Sequence, residues 1–278
     1  MKTWPLWWIV LSCLCLASPA ARAESPELPD AAALLDQAVE AMGGRAAMDQ
    51  IHNRVTHGSM QIPAMGITGT LVSYSAAPSL FYSVAELAGL GKFESGTDGE
   101  IFWESTAMTG PRLKSGEERA MALREARFNG MLHWREMYAD ARTVGIDTVE
   151  SRPCHKILLT PVEGSPETQY YDMETGLLRK AEMTITGEMG TIPVVAYADD
   201  YREVDGVQIA FRSRQVVMGI QEMLFVTERV EHNVEIPEGR FEPPAEIRAL
   251  LERDREAEAP EAAEQEPPAQ EAAPATAE

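Results

Sequence analysis

Three features of this sequence predict an α+β fold that is mainly antiparallel β. Over residues 54–105, and again over 142–235, apolar and polar residues alternate with a period near two. The runs are joined by turns as short as Ala77-Pro78, Asp98-Gly99 and Asp205-Gly206, and connections of that length force neighbouring strands to be antiparallel. Between the two blocks, residues 115–138 switch to helical spacing, which makes them the candidate cover for the sheet's apolar face.

In chain order, residues 1–23 read as a secretory signal. They hold Lys2, an apolar run over 4–17, and Ala21-Arg22-Ala23 as a small-x-small cleavage site. The run is shorter than the ~20 residues of a membrane anchor. A lipoprotein signal at Val10-Leu11-Ser12-Cys13 would leave too short a run ahead of Cys13. A helix is predicted over 30–42, with Leu34, Leu35, Ala38, Val39 and Met42 on one face and Gly43-Gly44 as its stop; its expected role is to cap one end of the sheet. Strands are predicted at 55–62, 67–75, 80–87, 92–97 and 100–103.

In the insert, Ser115-Gly116-Glu117-Glu118 matches a capping box ahead of strong helix formers. Asn129-Gly130 interrupts, and Met131, Leu132, Trp134, Met137 and Tyr138 resume helical spacing. Strands return at 142–149, 154–160 and 168–172, then run through a meander with turns at 172–176 and Asp205-Gly206, and finish at 221–235. In the strand after the last of these turns, Val207, Ile209 and Phe211 face one way while Gln208, Arg212 and Arg214 face the other. Pro237, Pro243 and Pro244 end the sheet before a short helix at 245–251. Residues 252–278 are rich in Ala, Glu and Pro, lack an aromatic and are expected to be disordered, so one domain is assigned to 24–251.

Composition removes several function classes. The 278 residues carry a net charge of −20, of which −15 falls on 24–251, and such a surface repels nucleic acid and anionic headgroups. Of three cysteines only Cys154 lies outside the signal, so no internal disulfide is expected and Cys154 reads as a buried strand thiol. Histidines 52, 57, 133, 155 and 232 show no metal-ligand spacing, and no nucleophile elbow or phosphate-binding loop is present. Asp199-Asp200, with Glu203 and Asp205, reads as a solvated hairpin end, because adjacent acids on a strand point to opposite faces. No cofactor and no metal are expected. Fourteen methionines suit either gap filling in a core or a pocket that fits varied apolar shapes.

Ala41-Met42-Gly43-Gly44, Asp98-Gly99 with Trp103, Met108-Thr109-Gly110-Pro111, Tyr171-Asp172 with Thr175-Gly176-Leu177, and the 200–207 segment Asp-Tyr-Arg-Glu-Val-Asp-Gly-Val occur in the order seen in one family. Over residues 30–244 the chain resembles the LolA/LolB-like superfamily of periplasmic lipoprotein carriers and its outer-membrane lipoprotein-sorting relatives. The resemblance implies an incomplete, half β-barrel of about eleven strands wrapped around plug or lid helices, with an apolar cavity that takes acyl chains and no catalysis. The cavity residues expected on the sheet are Leu71, Phe81, Met183, Phe211 and Met223, and those on the insert are Met121, Met131, Leu132 and Trp134. Carriers of the family pin the lid with an arginine projecting from a strand, which the sequence does not mark.

The expected function is that of a monomeric, exported periplasmic binding protein whose partner is a lipid or an acylated lipoprotein. The alternatives are an envelope protein-interaction module with a filled core, and, further off, a hydrolase or metal enzyme.

Overall fold

The computed structural model describes residues 28–187 and 190–264; the predicted signal at 1–23 and residues 265–278 lie outside them. Helices α1 (Ala31–Ala41) and α2 (Gly44–Met48) come first, followed by strands β1 (Asn53–Ile62), β2 (Ile67–Ala76), β3 (Leu80–Leu87), β4 (Gly91–Thr97), β5 (Phe102–Thr106) and β6 (Gly110–Leu113). The insert holds α3 (Gly116–Glu125), a 3-10 turn (Gly130–His133) and α4 (Trp134–Met137). The second block is β7 (Tyr138–Val149), β8 (Arg152–Pro161), β9 (Glu167–Asp172), β10 (Leu178–Gly187), β11 (Gly190–Val204), β12 (Val207–Val217) and β13 (Gln221–His232), and α5 (Ala245–Glu264) follows.

All thirteen strands form one open antiparallel sheet in the order β6-β5-β4-β3-β2-β1-β13-β12-β11-β10-β9-β8-β7. The first block steps outward from β1, and the second returns to pair β13 with β1, so β6 and β7 are the two free edges. The insert therefore has to run from one edge to the other, and that path carries it over the hollow of the half-barrel.

Thirteen strands replace the expected eleven or so. Strand β6 went unmarked because Gly110-Pro111 reads as a turn, yet an edge strand tolerates the missing N–H of Pro111. Pairing of β10 with β11 runs from Lys180 opposite Tyr197 out to Gly187 opposite Gly190. Tyr138 begins β7 rather than ending a helix. Asp199-Asp200 lies within β11, not at a hairpin end: Asp199 pairs with Arg212 and Tyr201 with Ala210, and Asp200 between them takes a positive φ of 51° without any shift of register. Helix α5 continues beyond 251 to Glu264.

Helix α1 sits inside one end of the hollow. Leu34, Leu35, Ala38 and Val39 bury against Ile157 and Leu159 of β8, Tyr171 of β9 and Val207 of β12, together with Leu132 and Trp134 of the insert. Asp36 holds the insert from the other side, accepting bonds from Trp134 Nε1 at 3.2 Å and from both Arg135 Nη atoms at 2.7 Å. On the outer face, the segment after β13 folds back so that Arg240 lies over the rings of Tyr74 and Tyr82, at 4.6 and 5.3 Å, while Trp103 and Ile247 are fully buried.

The turn motifs of the sequence converge at the α1–α2 junction. Gln208 N donates to Met42 O at 2.9 Å. Gly43 has φ 118°, and a Cβ there would lie 2.3 Å from Gly206 O, while one on Gly176 would lie 3.2 Å from the Ala41 Cβ. Gly43→Ala is accordingly expected to cost about 1–3 kcal/mol in urea unfolding, through strained backbone plus a clash with backbone. Gly66→Ala, also at positive φ (63°) but with open space around it, serves as the reference, and an equal loss in both would show that the junction contact contributes nothing.

A cavity between the sheet and its helical insert

Antiparallel partners directly opposite one another share a face, so the register defines the lining of the hollow. Phe81 pairs with Ser75, which pairs with Arg54; Leu71 sits four residues along β2 on the same face. On the other limb Met183 pairs with Val194, and Gln215 pairs with both Ala196 and Met223. The sheet curls enough that these limbs face one cavity of about 490 Å³, within the ~300–1,000 Å³ usual for small-molecule sites. Phe81, Ser95, Phe102 and Glu104 form one wall. Met183, Ile185, Val194 and Gln215 form the opposite one, and α3 closes the space with Met121, Ala122, Glu125 and Ala126.

Helix α3 is held at both ends by ions. Near its start, Glu118 is 7% exposed and receives Arg112 Nη2 at 2.6 Å and Lys114 Nζ at 2.7 Å, while Glu104 takes Arg112 Nε at 2.6 Å. Those cations hold the Glu118 carboxyl down at about 2. Ser115 occupies the N-cap position, but its side chain makes no capping bond, and the Glu118 of the expected capping box is committed to the strand cations instead. Near its end, Arg124 donates to Glu167 Oε2 of β9 at 3.1 Å, and Glu167 Oε1 accepts from Tyr138 Oη at 2.6 Å and Gln169 Nε2 at 2.7 Å.

Two arginines that project from strands meet the insert. Arg112 of β6 reaches Glu118, and Arg54 of β1 lies 5.7 Å from the Phe128 ring centroid while its Nε donates to His232 Nε2 at 3.0 Å. Burial lowers the Arg54 guanidinium to about 10. Neither arginine stands out in the sequence, because identity alone does not show which strand face an arginine occupies or what lies above it.

Glu125 has a different environment. It is an exposed residue on the cavity lining, yet protein crowds its carboxyl, and this desolvation, with repulsion from Glu167, pushes the carboxyl up to about 7. It makes no hydrogen bond or ion pair among the described residues.

Of the nine expected cavity residues, Phe81, Met121 and Met183 line the cavity. Leu71, Phe211 and Met223 belong to the same face of the sheet but not to this cavity. Leu132, Trp134 and Met131 pack instead into the α1 core, because the 3-10 turn and α4 carry them away from α3. The sequence reading missed Phe102, Ile185, Val194 and the polar lining residues; the alternation along β10 and β11 was the available signal for Ile185 and Val194. Cys154 is fully buried, donates to Arg152 O at 3.5 Å, and has its thiol pushed up by burial, which disfavours a nucleophilic thiolate. Among the described residues no group of three or more His, Cys, Asp or Glu side chains is placed to hold a metal.

No protein-family model and no curated protein sequence matches the chain. Solved structures do. A DUF1329 family protein from Desulfovibrio piger superposes with a TM-score of 0.55 at 16% identity, covering 79% of this chain and 100% of that one. A LolA superfamily protein from Nitrosomonas europaea gives 0.50 at 12% identity, with 78% and 99% covered. The chain has a LolA-like fold. A third structure with the LolA-like fold, a putative outer membrane lipoprotein-sorting protein domain from Vibrio parahaemolyticus, matches at 0.50 and 12% identity, over 81% of this chain and 100% of that one. At these identities the likeness concerns the LolA-like scaffold, and the cavity has to be argued from its own residues.

Two measurements check this geometry. Arg124→Met leaves the Glu167 carboxylate buried and uncompensated and is expected to destabilise by about 3–5 kcal/mol, most of it regained in the double variant with Glu167→Leu. Because the Glu125 pKa is raised on folding, its favourable contribution is full below about 4.5 and is lost as pH rises through about 7. Glu125→Gln should therefore raise the melting temperature above pH ~7 and leave it nearly unchanged near pH ~4.5.

Proposed function

We propose that the chain is an exported, periplasmic, non-catalytic binding protein that holds a lipid or a lipoprotein acyl chain in the cavity under α3. The observation that carries this reading is the cavity of about 490 Å³ whose walls come from both limbs of the sheet and from the insert. Support comes from the apolar character of Phe81, Phe102, Met121, Met183, Ile185 and Val194, from the signal pattern at 1–23, and from the LolA-like fold shared with a putative lipoprotein-sorting domain. The ligand-binding unit is 24–251, acting as a monomer, with an envelope protein as the giver or taker of the ligand.

The energetics suit a carrier. Burying about ten methylenes at ~0.8 kcal/mol each yields ~8 kcal/mol, near micromolar affinity before ordering costs are subtracted. Binding of that strength is releasable. Flexible Met121 on the helical cover and Met183 on the sheet let the lining adapt to chains of different shape. A filled core would have favoured an interaction module, and the open space under α3 speaks against it.

Native mass spectrometry after lipid extraction tests the reading. The delipidated protein is expected to take up a fatty-chain amphiphile at roughly micromolar Kd, and Ala122→Trp, which projects bulk from α3 into the cavity, should weaken uptake about tenfold or more. Failure of the delipidated protein to take up any fatty acid, phospholipid or apolar dye would falsify it.

A further inference from the structure

The polar residues of the cavity wall restrict what the bound chain carries at its end. This step rests on the lipid-binding reading and concerns the same cavity. Three side chains reach the lining from three different elements: Ser95 from β4, Gln215 from β12 and Glu125 from α3. None has a side-chain hydrogen-bond partner among the described residues, so each keeps its bonding capacity for whatever occupies the space. Ser95 and Gln215 are half-buried and Glu125 is exposed, so all three stay open to an occupant, and one that bonds to them is favoured over one that displaces their water without doing so.

The charges around Glu125 define the sign. From β9 it faces Glu167, which is already committed to Arg124, Tyr138 and Gln169. From β5 and the end of β6 it faces Glu104 and Lys114, and on its own helix lie Glu118 and Arg124. Lys114, the one cation lining the cavity among the described residues, has its Nζ 2.7 Å from Glu118 and 3.2 Å from Glu104. Arg112 beside it is shared by the same two carboxylates. The lining therefore holds no free positive charge for a phosphate or carboxylate, while it does hold an unpaired carboxyl, an amide and a hydroxyl.

We infer that the cavity selects amphiphiles whose polar end donates hydrogen bonds and bears no negative charge, that is hydroxyl- or amine-ended chains, and discriminates against phosphate- and carboxylate-ended ones, with Glu125 setting the preference. A hydroxyl or amine donates to the Glu125 carboxyl and to Gln215 Oε1, whereas an anionic end meets Glu125 as a like charge, Glu104 being paired with Arg112 and Lys114.

The test is a matched series on the delipidated full chain: dodecylamine, dodecanol and dodecanoate, read by native mass spectrometry and dye displacement near pH 8, where Glu125 is mostly ionised. The overall negative charge of the protein steers these probes as well, so the series is repeated at about 0.5 M salt, where long-range fields are screened. The expected order is amine, then alcohol, then carboxylate, with at least a tenfold gap between the extremes that persists in salt. In Glu125→Gln, which keeps the shape of the side chain and changes the net charge by a single unit, the gap should fall below about threefold. Gln215→Leu, which leaves every charge in place, should weaken dodecanol severalfold. Dodecanoate binding as tightly as dodecylamine, or a gap that salt abolishes, or one unchanged in Glu125→Gln, overturns the selectivity while leaving the lipid-binding reading intact. If none of the three probes binds, the lipid-binding reading itself falls.

Discussion

The pairing of β1 with β13 is the constraint on which the rest of the structure depends. It joins residues far apart in sequence, from Arg54 opposite His232 to Gln61 opposite Leu224, and it turns two separate meanders into one continuous sheet. Loop closure over so long a span costs only slowly growing entropy, and the ladder of backbone bonds with the side-chain pairs across it supplies the return. Once the two central strands are joined, the free edges are β6 and β7, and the chain between them crosses the hollow with α3 over the cavity. Connectivity fixes the two edges that the insert joins, and its apolar contacts with α1 and the sheet fix the face that it crosses.

The two sides of the hollow are filled differently, and the difference explains where the cavity lies. Helix α1 presents Leu34, Leu35 and Val39 and packs densely against β8, β9 and β12. Helix α3 presents Met121, Ala122 and Glu125, followed by Ala126 at its C-cap, and the two alanines are too short to fill the space; ion clusters at Glu118 and Glu167 fix the helix. A helix held by its ends can span a space that it does not fill. Charges that hold the helix also neutralise the cations near the cavity, which leaves Glu125 as the unpaired charge on its lining among the described residues.

Legibility in the sequence varied with the range of the interaction. The strands, the insert and the helix at 30–42 follow from local periodicity, and the turn motifs could be read singly. Their meeting at Gly43, Gly176 and Gly206 could not, because the three turns are brought together only when α1 docks between the β9–β10 and β11–β12 connections. Phe81, Met121 and Met183 were legible as members of apolar faces, whereas Leu132 and Trp134, equally apolar, went to the α1 core through the change from α3 to a 3-10 turn.

By itself the sequence determined the class of fold, the antiparallel neighbours along each block and the apolar face of each strand, since these depend on side-chain alternation and on turn residues acting over a few positions. Tertiary structure alone decided which apolar residues face empty space and which face each other, which arginine meets which carboxylate, and that Glu125 has no ion-pair partner among the described residues. Those outcomes depend on the curl of the sheet and the path of the insert, and both are set by the closure of β13 onto β1 rather than by any local pattern.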